Sequence, residues 1–292
     1  MAKKYIASVS FGKDSLAMLF KLLYSEKYRL DEVVFYDTGM EFNAIYKIRD
    51  KVKKELSKFG IKYTELRPKE NFEYMMFEKI VNHRNGTKSK GYSWCGGACR
   101  WGTTYKTAAI DRYCGNNIQY VGIAIDEPKR LEKLKKQKNK KAPLVDFGMS
   151  EKDCLEYCHE CGYYWEESGV ELYDILDRVS CWCCANKNLK ELENYKKYLP
   201  EYWEKLKSFQ KRTIRPFKGK NTIFDIEDKI NGIKRNKKEV WINIYNYNGN
   251  YIWGSDLYIS PEYATRNLAD KEHYMHTINV TTGEIVIVDL KG

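Results

Sequence analysis

Apolar runs of strand length and apolar helical patterns take turns from residue 4 to residue 127. Residues 4–10 (KYIASVS) read as a buried strand, and from Asp14 onward Leu16, Leu19, Phe20 and Leu23 recur at helical spacing. A second strand follows in DEVVFYDTG (31–39), then a lysine-rich helix over 43–59, a third strand in IKYTEL (61–66) and a fourth in IQYVGIAIDE (118–127). Strands that alternate with helices pack as a parallel sheet with helices on both faces, because each parallel connection must cross over the sheet. The expected class is α/β: an open parallel sheet with helices on both faces, Rossmann-like, over residues 1–148.

Beyond the basic run at 129–141 the pattern changes. Residues 150–161 read as a helix with Ser150 as N-cap. Residues 171–210 read as helical, with a cysteine-rich break at 181–184. These predict a helical, cysteine-rich extension over 149–237. From Val240 two hairpins are expected, turning at Asn248-Gly249 and Thr282-Gly283, with a short helix at 260–270 started by Ser260 and Pro261. They predict a small ββαββ module of α+β type at 238–292.

The content of hydrophobic residues is 43% and of charged residues 31%, the balance of a globular chain. No apolar run approaches the ~20 residues of a membrane span. The start, MAKKYIASVS, lacks the apolar core of a secretory leader, so a cytoplasmic location and no membrane partner are expected. The net charge of +11 suits an anionic partner, a nucleotide or a nucleic acid, and KRLEKLKKQKNKK (129–141) is the densest basic run. Oligomeric state is not written in the sequence.

The stretch SVSFGKDSLAMLF (8–20) joins the first strand to the first helix through a short polar turn. Such a turn aims loop amides and a helix N-terminus at an anion. Lys13 adds a full positive charge, and Ser10 and Ser15 add hydroxyl donors. It is neither the Walker pattern nor GxGxxG. It resembles the SGGxDS loop of the PP-loop ATP pyrophosphatase superfamily: Ser10, Gly12, Asp14 and Ser15 match, and Phe11 stands at the first glycine. YDTGMEF, with Asp37, Thr38 and Gly39, resembles the phosphoadenosine phosphosulfate reductase branch. GIAIDEPKR resembles that branch's GxxxDExxR segment through Gly122, Asp126, Glu127 and Arg130. The likeness spans roughly residues 4–235.

The resemblance implies an adenine nucleotide, ATP or an adenylyl sulfate with Mg2+, its phosphates on residues 10–15. Lys13 and Asp14 are then the expected catalytic pair. Asp37, at a carboxyl strand end where open α/β sheets bind ligands, is expected on a ribose hydroxyl or the magnesium. Arg130 suits a bidentate grip on phosphate or sulfate. Two enzymatic outcomes follow: sulfur transfer or reduction on the nucleotide, and adenylation with thiolation of a tRNA or DNA, served by a thiol or sulfur-donor protein. A non-catalytic nucleotide-binding protein is the third, with Phe11 as its sequence argument.

Nine cysteines, an odd number without a secretory leader, favour metal, cluster or thiol chemistry over a disulfide framework. Three of the four positions 181–184 (CWCC) are cysteine, a density that packing does not require. The expected ligands are Cys95 or Cys99 with Cys181 and Cys184, and Cys161 or Cys183 in a fourth place. The bound group is a [4Fe-4S] cluster, as in several members of the resembled branch, or zinc. Cys154, Cys158 and Cys161 share one helix face and also read as small buried hydrophobes. ECG at 160–162 resembles the branch's catalytic ECGxH tail, but it lies mid-chain with Tyr164 at the histidine position. His273 and His276 are read as surface residues.

Overall fold

The computed structural model describes residues 2–95, 99–213, 215–233, 241–247, 250–253, 274–279 and 285–286. The chain divides into two compact units, Met1–Leu206 with Arg215–Lys220, and Lys207–Ile214 with Asn221–Gly292.

The first unit begins with β1 (Tyr5–Ser8), α1 (Lys13–Leu23), β2 (Glu32–Tyr36), α2 (Asn43–Lys58) and β3 (Lys62–Leu66). A small hairpin, β4 (Ile80–Asn82) and β5 (Lys88–Lys90), then precedes α3 (Lys106–Cys114) and β6 (Ile118–Val121). Next come α4 (Pro128–Lys135), β7 (Lys140–Lys141), α5 (Pro143–Asp146) and α6 (Glu151–Glu160). The central sheet has the order β3-β2-β1-β6-β7, and every pair is parallel. The fold is therefore the expected α/β class. All five residues of β2 are buried, as a strand covered on both faces requires. Ile6, Val34 and Tyr36 pack with Ile110 and Cys114 of α3 on one side; α1 packs against α6 and α5 elsewhere in the unit.

The strand order decides where a ligand can sit. The chain moves from β1 to β2 and β3 in one direction and then returns to place β6 and β7 on the other flank of β1. The order reverses at β1, and the crevice at the carboxyl end of the strands at such a reversal is the natural ligand position in an open sheet. The loop at 9–12 lies there. The fourth strand was expected to run to residue 127 but stops at Val121. Gly122 comes so close to the start of α1 that an added Cβ would stand 2.7 Å from Ser15 Cα and 2.9 Å from Asp14 C.

The chain continues with the hairpin β8 (Glu166–Glu167) and β9 (Val170–Glu171), then α7 (Leu172–Ile175), α8 (Leu189–Tyr198) and α9 (Pro200–Lys211). Ser150 starts α6 as anticipated, in a reciprocal capping box with Asp153. Asn188 and Glu191 do the same for α8. The helical stretch expected at 171–210, with its break at 181–184, is three helices. Residues 176–188 form a loop, and Pro200 disfavours helix at Leu199, separating α8 from α9.

In the second unit Thr222 caps α10 (Ile223–Ile230) with Asp225. A four-stranded antiparallel sheet has the order β11-β10-β12-β13, with β10 (Trp241–Tyr247), β11 (Asn250–Trp253), β12 (Tyr274–Asn279) and β13 (Ile285–Val286). Tyr247 pairs with Asn250, so β10 and β11 are joined as a hairpin. The expected turn residues 248–249 and 282–283 and the helix at 260–270 lie outside the described residues, as does His273. Among the described residues no helix is long and apolar enough to cross a membrane.

Candidate functional site

The loop between β1 and α1 is built around an unusual residue. Phe11 has φ of 60°, in the left-handed region that favours glycine. Its side chain is wholly buried, with its ring 5.0 Å from that of Phe35 and 6.5 Å from that of Tyr63. The ring thus serves the core and does not line the cavity beside the loop. The side chain that stood as the sequence argument for a non-catalytic protein points away from the cavity. Its carbonyl accepts the Trp165 indole N–H at 2.7 Å.

The loop's polar groups are tightly organised. Ser10 N–H donates to Ser15 Oγ at 3.1 Å, and Ser15 Oγ donates to Gly12 O at 3.0 Å. The Lys13 amide donates to Tyr173 Oη at 2.9 Å. Lys13 Nζ lies 2.7 Å from Asp14 Oδ1 and 2.7 Å from Glu151 Oε2. Burial works against the Lys13 ammonium, but these two carboxylates outweigh it and raise its pKa above the ordinary lysine value. Burial likewise raises the Asp14 pKa, Lys13 opposes this, and the charges of Glu151 and Glu127 add to the rise.

A cavity of about 360 Å³ opens beside this loop. Ser10, Gly12, Lys13, Asp14 and Ser15 line it, together with Gly122, Glu127 and Arg130 of the segment after β6. Arg130 Nη1 bonds both oxygens of Glu127, at 2.5 and 2.7 Å. Cys95, Cys99, Cys181, Cys183 and Cys184 line the same cavity, as do Glu151, Tyr173 and Arg178. Two separated cysteine segments and the phosphate-type loop therefore share one space.

The remaining anticipated residues lie elsewhere. Asp126 accepts the Glu151 amide at 3.1 Å, at the start of α6. Asp37 is buried and already engaged: Tyr46 Oη donates to it at 2.8 Å and the Gly39 amide at 2.8 Å. Asp37, Thr38 and Gly39 line a neighbouring groove of about 580 Å³. Cys161 forms the C-cap of α6 and does not line the loop cavity. Cys154 and Cys158 are wholly buried, and burial pushes the Cys154 thiol up to about 12. A further cavity of about 380 Å³, lined by Tyr36, Phe72, Tyr105, Arg67, Lys79 and Arg112 among others, adjoins through Phe72.

The turn after β2 holds the cysteine loop. Trp182 N–H donates to Met40 O at 2.9 Å, and Thr38 Oγ1 lies 3.5 Å from Cys181 Sγ. The Cys184 amide donates to Cys181 O at 3.0 Å. Lys187, 3% exposed, donates to Ser180 Oγ and Cys181 O at 3.2 Å each. Burial presses its pKa below the ordinary lysine value, while Cys184, Glu191, Cys181 and Cys183 favour its charge. Five cysteines lining one cavity are of the donor type that zinc and iron–sulfur clusters take as thiolates. Among the described residues no three Cys, His, Asp or Glu side chains already stand as a metal-holding group.

The Cys95 thiol is acidic for a cysteine. A hydrogen bond from Cys99 lowers its pKa, burial opposes, and Arg100 and Arg215 add to the lowering, bringing it to about 6. Burial drives Cys181 and Cys183 well above the ordinary thiol value.

Sequence reasoning did not find Glu151, Trp165, Tyr173, Arg178 or Lys187. Glu151 follows a legible N-cap, and that was its only signal. The others sit in loops or short elements without periodicity.

Comparison with known proteins agrees with this geometry. The phosphoadenosine phosphosulfate reductase domain matches residues 4–145. The uncharacterized protein MJ0066 of Methanocaldococcus jannaschii is 26% identical over 216 residues, 70% of this chain and 40% of that protein. The uncharacterized protein MJ0973 of the same organism is 26% identical over 221 residues, 72% of this chain and 49% of that protein. The chain thus spans less than half the length of these two curated relatives. With a parallel sheet that reverses at β1, a strand–loop–helix turn at that point, and a family match over the same segment, residues 4–145 form a domain of the phosphoadenosine phosphosulfate reductase type.

Proposed function

We propose that this protein is an adenine-nucleotide-dependent enzyme of sulfur transfer or reduction, acting on ATP or an adenylyl sulfate with Mg2+. The observation that carries this reading is the shared cavity: the loop at 10–15 and five cysteines face one space. The loop amides, Lys13 and Arg130 supply positive charge for the phosphates, and stabilising charge that develops during transfer is the main catalytic task of such a cradle. With an adenylyl sulfate, a cavity thiolate attacks sulfur, the sulfur–oxygen bond to the nucleotide breaks, and AMP leaves. With ATP, an acceptor oxygen attacks the α-phosphorus, pyrophosphate leaves, and a sulfur nucleophile then displaces AMP. A cluster or zinc held by Cys95 or Cys99 with Cys181, Cys183 and Cys184 would fix these thiolates beside the phosphates. Cys183 is preferred over Cys161 for the fourth place because Cys183 lines the cavity and Cys161 does not.

A second reading, thiolation of a tRNA or DNA, draws on one further observation. Arg130, which lines the cavity, lies on α4, a helix with no buried residue and with Lys129, Lys133 and Lys135 beside it. A solvated basic helix at the mouth of a nucleotide cavity suits a phosphate backbone. Measuring sulfite, AMP and pyrophosphate after incubation with each nucleotide decides between the routes. Lys13→Ala abolishes release of all three in this account, and Cys181→Ser with Cys184→Ser abolishes sulfur chemistry. Unchanged turnover in Lys13→Ala removes the loop from the mechanism.

A further inference from the structure

The loop's best phosphate donors are already occupied by the chain itself. The first four amides of a helix have no partner within it, and in a strand–loop–helix cradle they are the groups that meet an anion. The Lys13 amide is the first of α1, and it donates to Tyr173 Oη at 2.9 Å. The Lys13 ammonium is shared between Asp14 and Glu151 at 2.7 Å each. Tyr173 lies on α7 and Glu151 at the start of α6, both outside the β1–loop–α1 unit they engage.

These two groups stand where phosphate oxygens would. A hydroxyl oxygen on the loop amide and a carboxylate on the loop lysine reproduce, in neutral and anionic form, the contacts a phosphate makes. Both residues line the loop cavity. Both also line a second cavity of about 300 Å³, together with Lys13, Leu155, Asp174 and Asn194. Tyr173 and Glu151 therefore form part of the wall between two spaces, and the second gives them somewhere to go. The Trp165 ring packs edge-to-face on Tyr173 at 4.8 Å while its indole N–H holds Phe11 O, so a fixed partner stands beside the movable one.

We infer that the Tyr173 hydroxyl and the Glu151 carboxylate are internal stand-ins for phosphate that close the loop in the free protein and are exchanged for phosphate oxygens when the nucleotide binds. The inference rests on the nucleotide reading above. Phosphate and the Glu151 carboxylate cannot share Lys13 without repulsion, so occupancy of the loop expels Glu151 and shifts α7. The nucleotide then binds only the fraction of molecules in which the stand-ins have let go, and its apparent affinity falls by that fraction.

Calorimetric titration of the full chain with ATP–Mg2+ and with adenosine 5′-phosphosulfate tests the exchange, using the wild type, Tyr173→Phe and Glu151→Gln, each checked for an unchanged thermal transition. Removing either stand-in tightens binding, by about fivefold or more. Hydrogen exchange over residues 171–176 rises when nucleotide binds the wild type, where a merely supporting role for Tyr173 gives protection instead. Wild-type binding with equal or weaker binding in both variants overturns the exchange and leaves the nucleotide reading standing. Absence of binding by the wild type and both variants overturns both.

Discussion

Phe11 holds a backbone conformation that a β-carbon disfavours by about 1–2 kcal/mol, and its ring is wholly buried against Phe35 and Tyr63. Burial of a phenylalanine outweighs that strain, which is why the residue is tolerated where the resembled motif has glycine. Phe11→Ala should lower stability by about 3–5 kcal/mol in denaturant titration, because it keeps the strain and loses the ring. Nucleotide affinity in the folded variant should stay within about threefold, since the ring does not face the cavity. A large loss of affinity without loss of stability would reverse that assignment. The Cys95 thiol, near 6, makes a second residue-scale prediction. In metal-free protein its alkylation by iodoacetamide, read by mass spectrometry, should rise with pH through about 6 and level off by neutrality. Wholly buried Cys158, whose pKa burial raises, should stay unlabelled. That the loop would offer polar groups at the end of β1 was legible at this scale because Ser10, Gly12, Lys13 and Ser15 form a local pattern. The fate of Phe11 was not, since the direction of its ring depends on β2 and β3.

At the scale of elements, the end of β6 and the start of α1 meet at Gly122. An added Cβ would stand 2.7–2.9 Å from backbone atoms of Asp14 and Ser15. Gly122→Ala should therefore displace the loop, costing about 1–3 kcal/mol of stability and weakening nucleotide binding in titration. Unaltered affinity would mean that the loop geometry does not govern binding. Strand β2 carries its own electrostatic device. Glu32, 2% exposed, accepts Lys62 Nζ at 2.9 Å, Thr64 Oγ1 at 2.6 Å and the Tyr113 hydroxyl. Burial opposes its charge, but these donors prevail and hold its pKa below the ordinary carboxylate value. A depressed carboxylate contributes stability above its unfolded pKa and loses it as pH falls through the folded one. Glu32→Gln should cost about 2 kcal/mol near neutrality, and the gap should close in acid below about pH 4. A gap that widens in acid would contradict the sign. The long elements were readable because apolar periodicity and caps such as Ser150 are local. The hairpins β4–β5 and β8–β9 and the strand β7 were not, since they are two or three residues long and largely polar.

At the scale of the whole molecule, the first unit brings distant segments to the carboxyl end of β1. The loop around Lys13, the two cysteines Cys95 and Cys99, the segment from Gly122 to Arg130, and the loop that carries Cys181 and Cys184 each send residues to one cavity. Parallel topology made part of this legible: a loop after β1 and a segment after β6 must be neighbours when the strands pair. The arrival of two cysteine segments beside them was not fixed by any local pattern. It depends on the loop at 176–188, which the turn after β2 grips through Met40 and Thr38. The central claim is that nucleotide and thiols occupy that one space, and an alkylation footprint tests it most directly. In metal-free protein with saturating ATP–Mg2+ or adenosine 5′-phosphosulfate, labelling of Cys95, which lines the cavity, should slow by about tenfold. Labelling of half-buried Cys161, at the end of α6, should be unchanged, and Lys13→Ala should remove the protection of Cys95. Nucleotide binding that protects Cys161 and leaves Cys95 as reactive as before would contradict the account.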